Sequence, residues 1–217
     1  MSRSGPSGQA GFTLTETLVA TVVGLVAIGA MTSFHITQMY GLRNQSGQVD
    51  LQSSARAITD LFAREVRSAG LGTNVACTGT VSTGLLVAKS SEIRIRADLD
   101  GNGALTGANE DVTYKLEFSD RRIIRIDHAA GRTDTLWSGA SLDGSRIMYF
   151  DAAGSQLAPG GGELDATQLT QVLRVKLELV LTGRVVQPGN SLLQTAREAA
   201  DTELRNRYFL NSSCGYR

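Results

Sequence analysis

Between Phe12 and Phe34 the sequence FTLTETLVATVVGLVAIGAMTSF carries one ionisable residue, Glu16. At 1.5 Å rise per residue a helix over this stretch is about 35 Å long, enough to cross the hydrocarbon core of a bilayer. A secretory signal peptide would place basic residues first, then a shorter apolar core, then a small-residue cleavage site. Here the order is different. The polar leader MSRSGPSGQAG comes first, with Arg3 its single charge, and no Ala-x-Ala site follows the apolar run. A membrane anchor is therefore expected over 12–34.

A carboxylate inside such a span costs about 3 kcal/mol or more, so Glu16 requires a partner. The span holds no base. Cleavage after Gly11 would create one, a free α-amino group on Phe12 at the start of the helix. That amine lies about one turn from Glu16 in its own chain and can equally meet the carboxylate of a neighbouring helix. Glu16 then becomes an assembly device.

The run Gly11-Phe12-Thr13-Leu14-Thr15-Glu16 resembles the processing motif of type IV prepilins and of type II secretion pseudopilins. The resemblance implies that a membrane-embedded prepilin peptidase cuts after Gly11 and methylates Phe12. It also implies that Glu16 pairs with a neighbouring subunit. On that basis residues 1–11 are a leader and 12–34 a transmembrane helix. Residues 35–70 continue the helix and 71–217 form a periplasmic head. The chain is then a single-pass inner-membrane protein that is later built into a surface fibre with other minor pilins and the major pilin.

Beyond Phe34 the helical period persists while the composition changes. Leu51, Ala55, Ile58, Phe62, Val66 and Ala69 recur every three to four residues, with Arg56, Asp60, Arg64 and Arg67 on other faces. No proline interrupts 12–70, so one long helix is expected, loosened around RNQSGQ where Gly47 is a poor helix former and ended by Gly70 and Gly72. The stretch SARAITDLFAREVRSAGLG is similar to the same part of PilW-type minor pilins.

The remainder alternates with period two. EIRIRA places Ile93, Ile95 and Ala97 on one face, and DVTYKLEF places Val112, Tyr114, Leu116 and Phe118 there. A turn at SDRR, the run IIRID, SRIMYF at 145–150 and VLRVKLELVLTG at 172–183 continue the pattern. One apolar face per sheet needs a cover, and the Leu51–Ala69 stripe is available. The expected fold class is α+β, pilin-like, with a long N-terminal helix packed on an antiparallel sheet. The Gly-rich DAAGSQLAPGGGELD has no basic residue and no following helix, so it reads as a surface loop and not a phosphate cradle.

The composition narrows the function. Lys plus Arg equals Asp plus Glu, 21 each, which provides no bulk field for nucleic acid. The 217 residues suffice for one domain and a separate segment. Only two histidines occur, His35 at the end of the span and His128 in a loop, so a catalytic triad or histidine-rich metal centre lacks material and no enzyme activity is expected. Trp137 is expected to be a buried sheet aromatic. Cys77 and Cys214 match no zinc or redox spacing and are either one long-range disulfide or two unrelated thiols. The periplasmic head implied by the resemblance selects the disulfide.

DLDGNG leaves two readings open. Asp98, Asp100 and Asn102 at alternate positions, then Gly103 and the carbonyl of Ala104, have the spacing that wraps oxygens around Ca²⁺. The closing acid departs from the pattern, since Asn109 stands at the twelfth position and Glu110 follows one residue late. The other reading is a hydrated Asp-Gly turn between strands. No other cofactor is indicated.

Three functions share these features: a PilW-like minor pilin that primes or caps a type IV pilus, a J-type minor pseudopilin, and a membrane-anchored adhesin or DNA-uptake pilin. A head patch combining exposed arginine with aromatic residues would favour the last. Arg121, Arg122, Arg125 and Arg132 are near one another in the chain, but alternation can place them on opposite faces.

Overall fold

The computed structural model describes residues 11–72, 84–102, 104–158, 162–187 and 190–204. Its first element is a single α-helix, α1 (Leu14–Ser68). The chain divides into two compact units, Met1–Gln45 and Ser46–Arg217.

In the first unit, the Thr13 carbonyl accepts from the N–H groups of Glu16 and Thr17, both at 3.1 Å, and opens the helix. The apolar side chains that follow, from Leu14 through Val22, Ile28 and Phe34, are exposed.

The second unit begins inside α1. The expected loosening near Gly47 is absent, and the helix is continuous through it. The glycine has a different use: a Cβ there would lie 2.8 Å from Val185 Cγ2 and 3.0 Å from Gln194 Oε1, so its absence lets the helix approach a hairpin closely. The stripe Leu51, Ala55, Ile58, Phe62, Val66 and Ala69 is buried as its spacing predicts. Each large apolar side chain in it contributes roughly 1.5–3 kcal/mol by leaving water.

Two antiparallel sheets meet that stripe. The first has the order β1-β2-β3-β4-β5, a meander of β1 (Leu85–Ala88), β2 (Glu92–Arg96), β3 (Asp111–Glu117), β4 (Arg122–Asp127) and β5 (Arg132–Ser138). The second has the order β7-β6-β8-β9, from β6 (Arg146–Phe150), β7 (Gln156–Leu157), β8 (Arg174–Gln187) and β9 (Asn190–Glu203). The start of the stripe meets the second sheet, where Gly183 closely abuts Leu51 and Gln48 Nε2 donates to the Thr195 carbonyl. Its end meets the first sheet, where the rings of Phe62 and Tyr114 pack edge to face with centroids 5.3 Å apart. This is the α+β arrangement expected from the periodicity, with two sheets rather than one.

The helix stops at Ser68 because Gly70 (φ 81°) and Gly72 (φ 65°) take backbone conformations that side chains disfavour. Gly70 N then donates to the Arg96 carbonyl and Asp98 N to the Leu71 carbonyl, both at 2.8 Å, fastening the helix end to β2.

Several details differ from expectation. Phe118 is 42% exposed because β3 ends at Glu117 and the turn begins before the alternation can bury it. Trp137 is half-buried on β5. The stretch read as a plain Gly-rich loop holds β7, and its last residue, Asp165, caps a short helix, α2 (Ala166–Gln171), through a reciprocal bond with Gln168.

Candidate functional site

The N-terminal site is built from the apolar half of α1 and the residues before it. An 18-residue window in α1 has a mean hydropathy of 2.0 and none of it is buried within the chain. Its hydroxyls are satisfied along the helix itself. Thr17, Thr21, Thr32, Ser33 and Thr37 each donate to the carbonyl four residues earlier. A helix in hydrocarbon has no water to accept those protons, so this internal bonding suits a lipid environment.

Gly11 and Phe12 precede the helix and both are exposed. A Cβ on Gly11 would meet nothing within 4 Å, so no packing among the described residues requires glycine there. Glu16 lies in the first turn of α1. Its N–H lies 3.3 Å from the Thr13 hydroxyl, and Thr13-x-x-Glu16 has the spacing of a capping box. The sequence reading missed this local role, in which the carboxylate complements the positive end of the helix dipole.

The loop between β2 and β3 gathers a second group. Asp98, Asp100 and Glu110 each bring a carboxylate oxygen within 4.8 Å of the others, with Asp98 and Glu110 buried. Glu110 Oε1 accepts from Leu99 N at 2.8 Å and Asp100 N at 3.3 Å, while Oε2 accepts from Gly107 N at 2.6 Å. Burial pushes the Glu110 carboxyl up, but the three N–H donors pull it further the other way, so it lies below the ordinary glutamate value despite nearby Asp98. Asp98 Oδ1 accepts from Gly101 N, and Asp100 accepts from Asn102 N and Nδ2. The other residues of the spacing pattern turn elsewhere. Asn102 Oδ1 accepts from Ala104 N at 2.7 Å, and Asn109 Oδ1 accepts from Arg125 Nη2 at 2.7 Å. The three acids are thus the group that could hold an oxygen-seeking cation.

Beside this loop lies an ionic cluster. Asp111, nearly buried, receives Arg94 through both carboxylate oxygens at 2.7 and 2.8 Å and Arg96 through Oδ2 at 2.8 Å. Burial raises the Asp111 carboxyl, and the two guanidiniums outweigh it and hold the group below the usual aspartate value. Arg125 is buried against Glu65 of α1, and Glu65 also accepts from the Tyr114 hydroxyl at 2.7 Å. Burial and the Glu65 charge together raise the Tyr114 phenol far above its ordinary value. Glu65 was missed in the sequence, although it sits four residues after Leu61 and three after Phe62, on the stripe itself.

The four arginines close in sequence are not one patch. Arg121 and Arg132 are exposed, Arg122 pairs with Glu117, and Arg125 is buried. His128 is exposed, with its Nε2 2.8 Å from the Thr113 hydroxyl. Cys77 and Cys214 lie outside the described residues.

Residues 6–32 match a family model described as the prokaryotic N-terminal methylation motif. No curated protein and no solved structure matches the chain. The matched stretch spans Gly11, Phe12 and Glu16 and runs into the exposed apolar half of α1, while the antiparallel sheets pack on the buried stripe of the other half. A methylation motif leading such a helix, with a sheet-built head behind it, makes the chain type IV prepilin-like.

Proposed function

We propose that the chain is a PilW-like minor pilin, a structural subunit that primes or caps a type IV pilus. The observation that carries this reading is the match over residues 6–32 at the start of an apolar helix that stands uncovered among the described residues. Such a helix needs lipid before assembly and other helices after it. The prepilin peptidase cuts between Gly11 and Phe12 and methylates Phe12, leaving a single-pass inner-membrane protein with its head in the periplasm. Other minor pilins and the major pilin then pack on the α1 segment, and the head contributes no catalysis. In the same reading Cys77 and Cys214 form one disulfide, which thiol titration of the unfolded, unreduced chain checks.

The test is co-expression with and without a prepilin peptidase, followed by intact-mass measurement. The expected mass is that of the chain from Phe12 plus one methyl group, and Gly11→Val is expected to remain full length. An intact Met1 in the presence of the peptidase, or normal processing of Gly11→Val, overturns the proposal.

A further inference from the structure

The head contains a cleft of about 530 Å³ that the assembly reading does not use. Trp137, at the end of β5, and Arg121, in the β3–β4 turn, line it. Arg184 and Val185 of β8 also line it, and Leu51 of α1 adds an apolar side chain. Among the described residues neither Arg121 nor Arg184 has an ion-pair partner, and no carboxylate lines the cleft. Most other head arginines are paired: Arg94 and Arg96 with Asp111, Arg122 with Glu117, Arg125 with Glu65, and Arg146 with Glu178.

The tryptophan is seated with care. A Cβ on Gly139 would lie 2.2 Å from Cζ2 and 2.3 Å from Cη2 of the indole, so only glycine lets the chain pass against that ring. Trp137 is partly buried, packs against the hydrophobic core and lines the cleft. Arg121 is equally fixed: its φ of 54° is unusual for a side chain of its size, and its carbonyl accepts from Gly139 N at 3.1 Å. The turn that carries one arginine is therefore hydrogen-bonded to the segment that seats the aromatic ring.

We infer that this cleft binds a carboxylated sugar, an acidic oligosaccharide of two or three units. The guanidinium fork matches a carboxylate in two parallel hydrogen bonds. The electron-rich face of an indole attracts the partially positive C–H groups of a pyranose ring. Nucleic acid is disfavoured, because tracking a phosphate backbone requires a continuous basic groove and this chain has two free cations here and no net charge. A protein partner is disfavoured by shape: stable protein interfaces are broad patches, whereas a concave space of this volume is the scale of a small-ligand site. The inference goes beyond the pilin reading and stands on the head alone, so it survives a failure of processing.

Trp137 is the single tryptophan of the chain, so its fluorescence reports occupancy directly. The experiment titrates full-length protein in detergent with trigalacturonate, with maltotriose as the neutral sugar and hexaglutamate as the acidic peptide. Trigalacturonate is expected to shift the emission saturably, with affinity falling as salt rises. Arg184→Gln and Arg121→Asn are each expected to weaken binding roughly tenfold, the loss of a hydrogen bond to a charged group. Asparagine tolerates the positive φ at 121, and exposed Arg64, on α1, serves as the control position with Arg64→Gln expected to bind normally. No saturable change up to millimolar trigalacturonate overturns the inference. Equal binding of maltotriose overturns the role of the arginines, and equal or tighter binding of hexaglutamate makes the cleft a peptide site instead. Unchanged affinity in both arginine variants also overturns it.

Discussion

Arg125 Nη2 and Glu65 Oε1 meet at 2.7 Å between β4 and α1, with the two side chains only 7% and 16% exposed. The helix and the first sheet are thus joined by a desolvated ion pair as well as by apolar packing. Removing one partner leaves the other charged, buried and unpaired, which costs far more than the pair itself contributes. Glu65→Ala is expected to destabilise the head by about 3 kcal/mol. The double variant Glu65→Leu with Arg125→Met is expected to recover most of that loss. Urea unfolding of the full chain in detergent measures both, and an additive double variant would mean that the two residues do not act as a pair.

Acid is expected to loosen the region around β2 and β3. The folded Asp111 carboxyl lies below its ordinary value because Arg94 and Arg96 overcome the effect of burial. The unfolded chain therefore takes up a proton first. The stabilisation is complete above the unfolded aspartate value, about pH 4, and is lost as pH falls from there through the lower folded value. Glu110, also depressed, adds to the same slope. Asp111→Asn is expected to be less stable at pH 7 and to show a shallower fall in stability below pH 4. Equal slopes for wild type and variant would remove Asp111 as a source of the acid sensitivity.

Glu16 admits two roles that respond differently to substitution. If it serves only the first turn, beside the Thr13 cap, Glu16→Gln preserves much of that role and the chain assembles normally. In the proposed role it neutralises the Phe12 amine of a neighbouring subunit, and only the charge suffices. Both Glu16→Gln and Glu16→Val are then expected to be cleaved normally but to be absent from sheared filaments. Immunoblots of sheared and cell-bound fractions distinguish the two outcomes.

The calcium expectation for 98–110 is checked through stability. Three carboxylates converge within 4.8 Å, two of them buried, and their mutual repulsion would be relieved by a cation. The midpoint of thermal unfolding is expected to be higher in millimolar Ca²⁺ than in EGTA, the linkage adding about 2.7 kcal/mol of stability at a hundredfold excess over the dissociation constant. Asp100→Ala, at an exposed position, is expected to abolish the difference. An unchanged wild-type midpoint leaves the loop as a self-bonded turn.

The parts legible in the sequence were those with strong periodicity. The stripe from Leu51 to Ala69, the inward residues Ile93, Ile95, Val112, Tyr114 and Leu116, and the run from Leu173 to Leu181 announced the helix and the strands that cover it. β5 was not legible, because RTDTLWS is a largely polar edge strand whose state is set by pairing with β4. β9 was hidden for the opposite reason. Its LQTAREAAD is rich in helix formers, and only the long pairing with β8 makes it extended. At the candidate sites, Gly11, Glu16 and the acids of DLDGNG stood out by spacing. Glu65 and Arg184 did not, since their meaning depends on which element lies opposite.

The hydroxyls of Thr17, Thr21, Thr32, Ser33 and Thr37 all turn back onto their own helix. Those five hydroxyls therefore offer a neighbouring helix no spare proton, and contact along that flank would rest on side-chain shape. In the proposed assembly a directed bond between such helices would then have to come from another group, and the Glu16 carboxylate in the first turn is the charged one that this segment supplies.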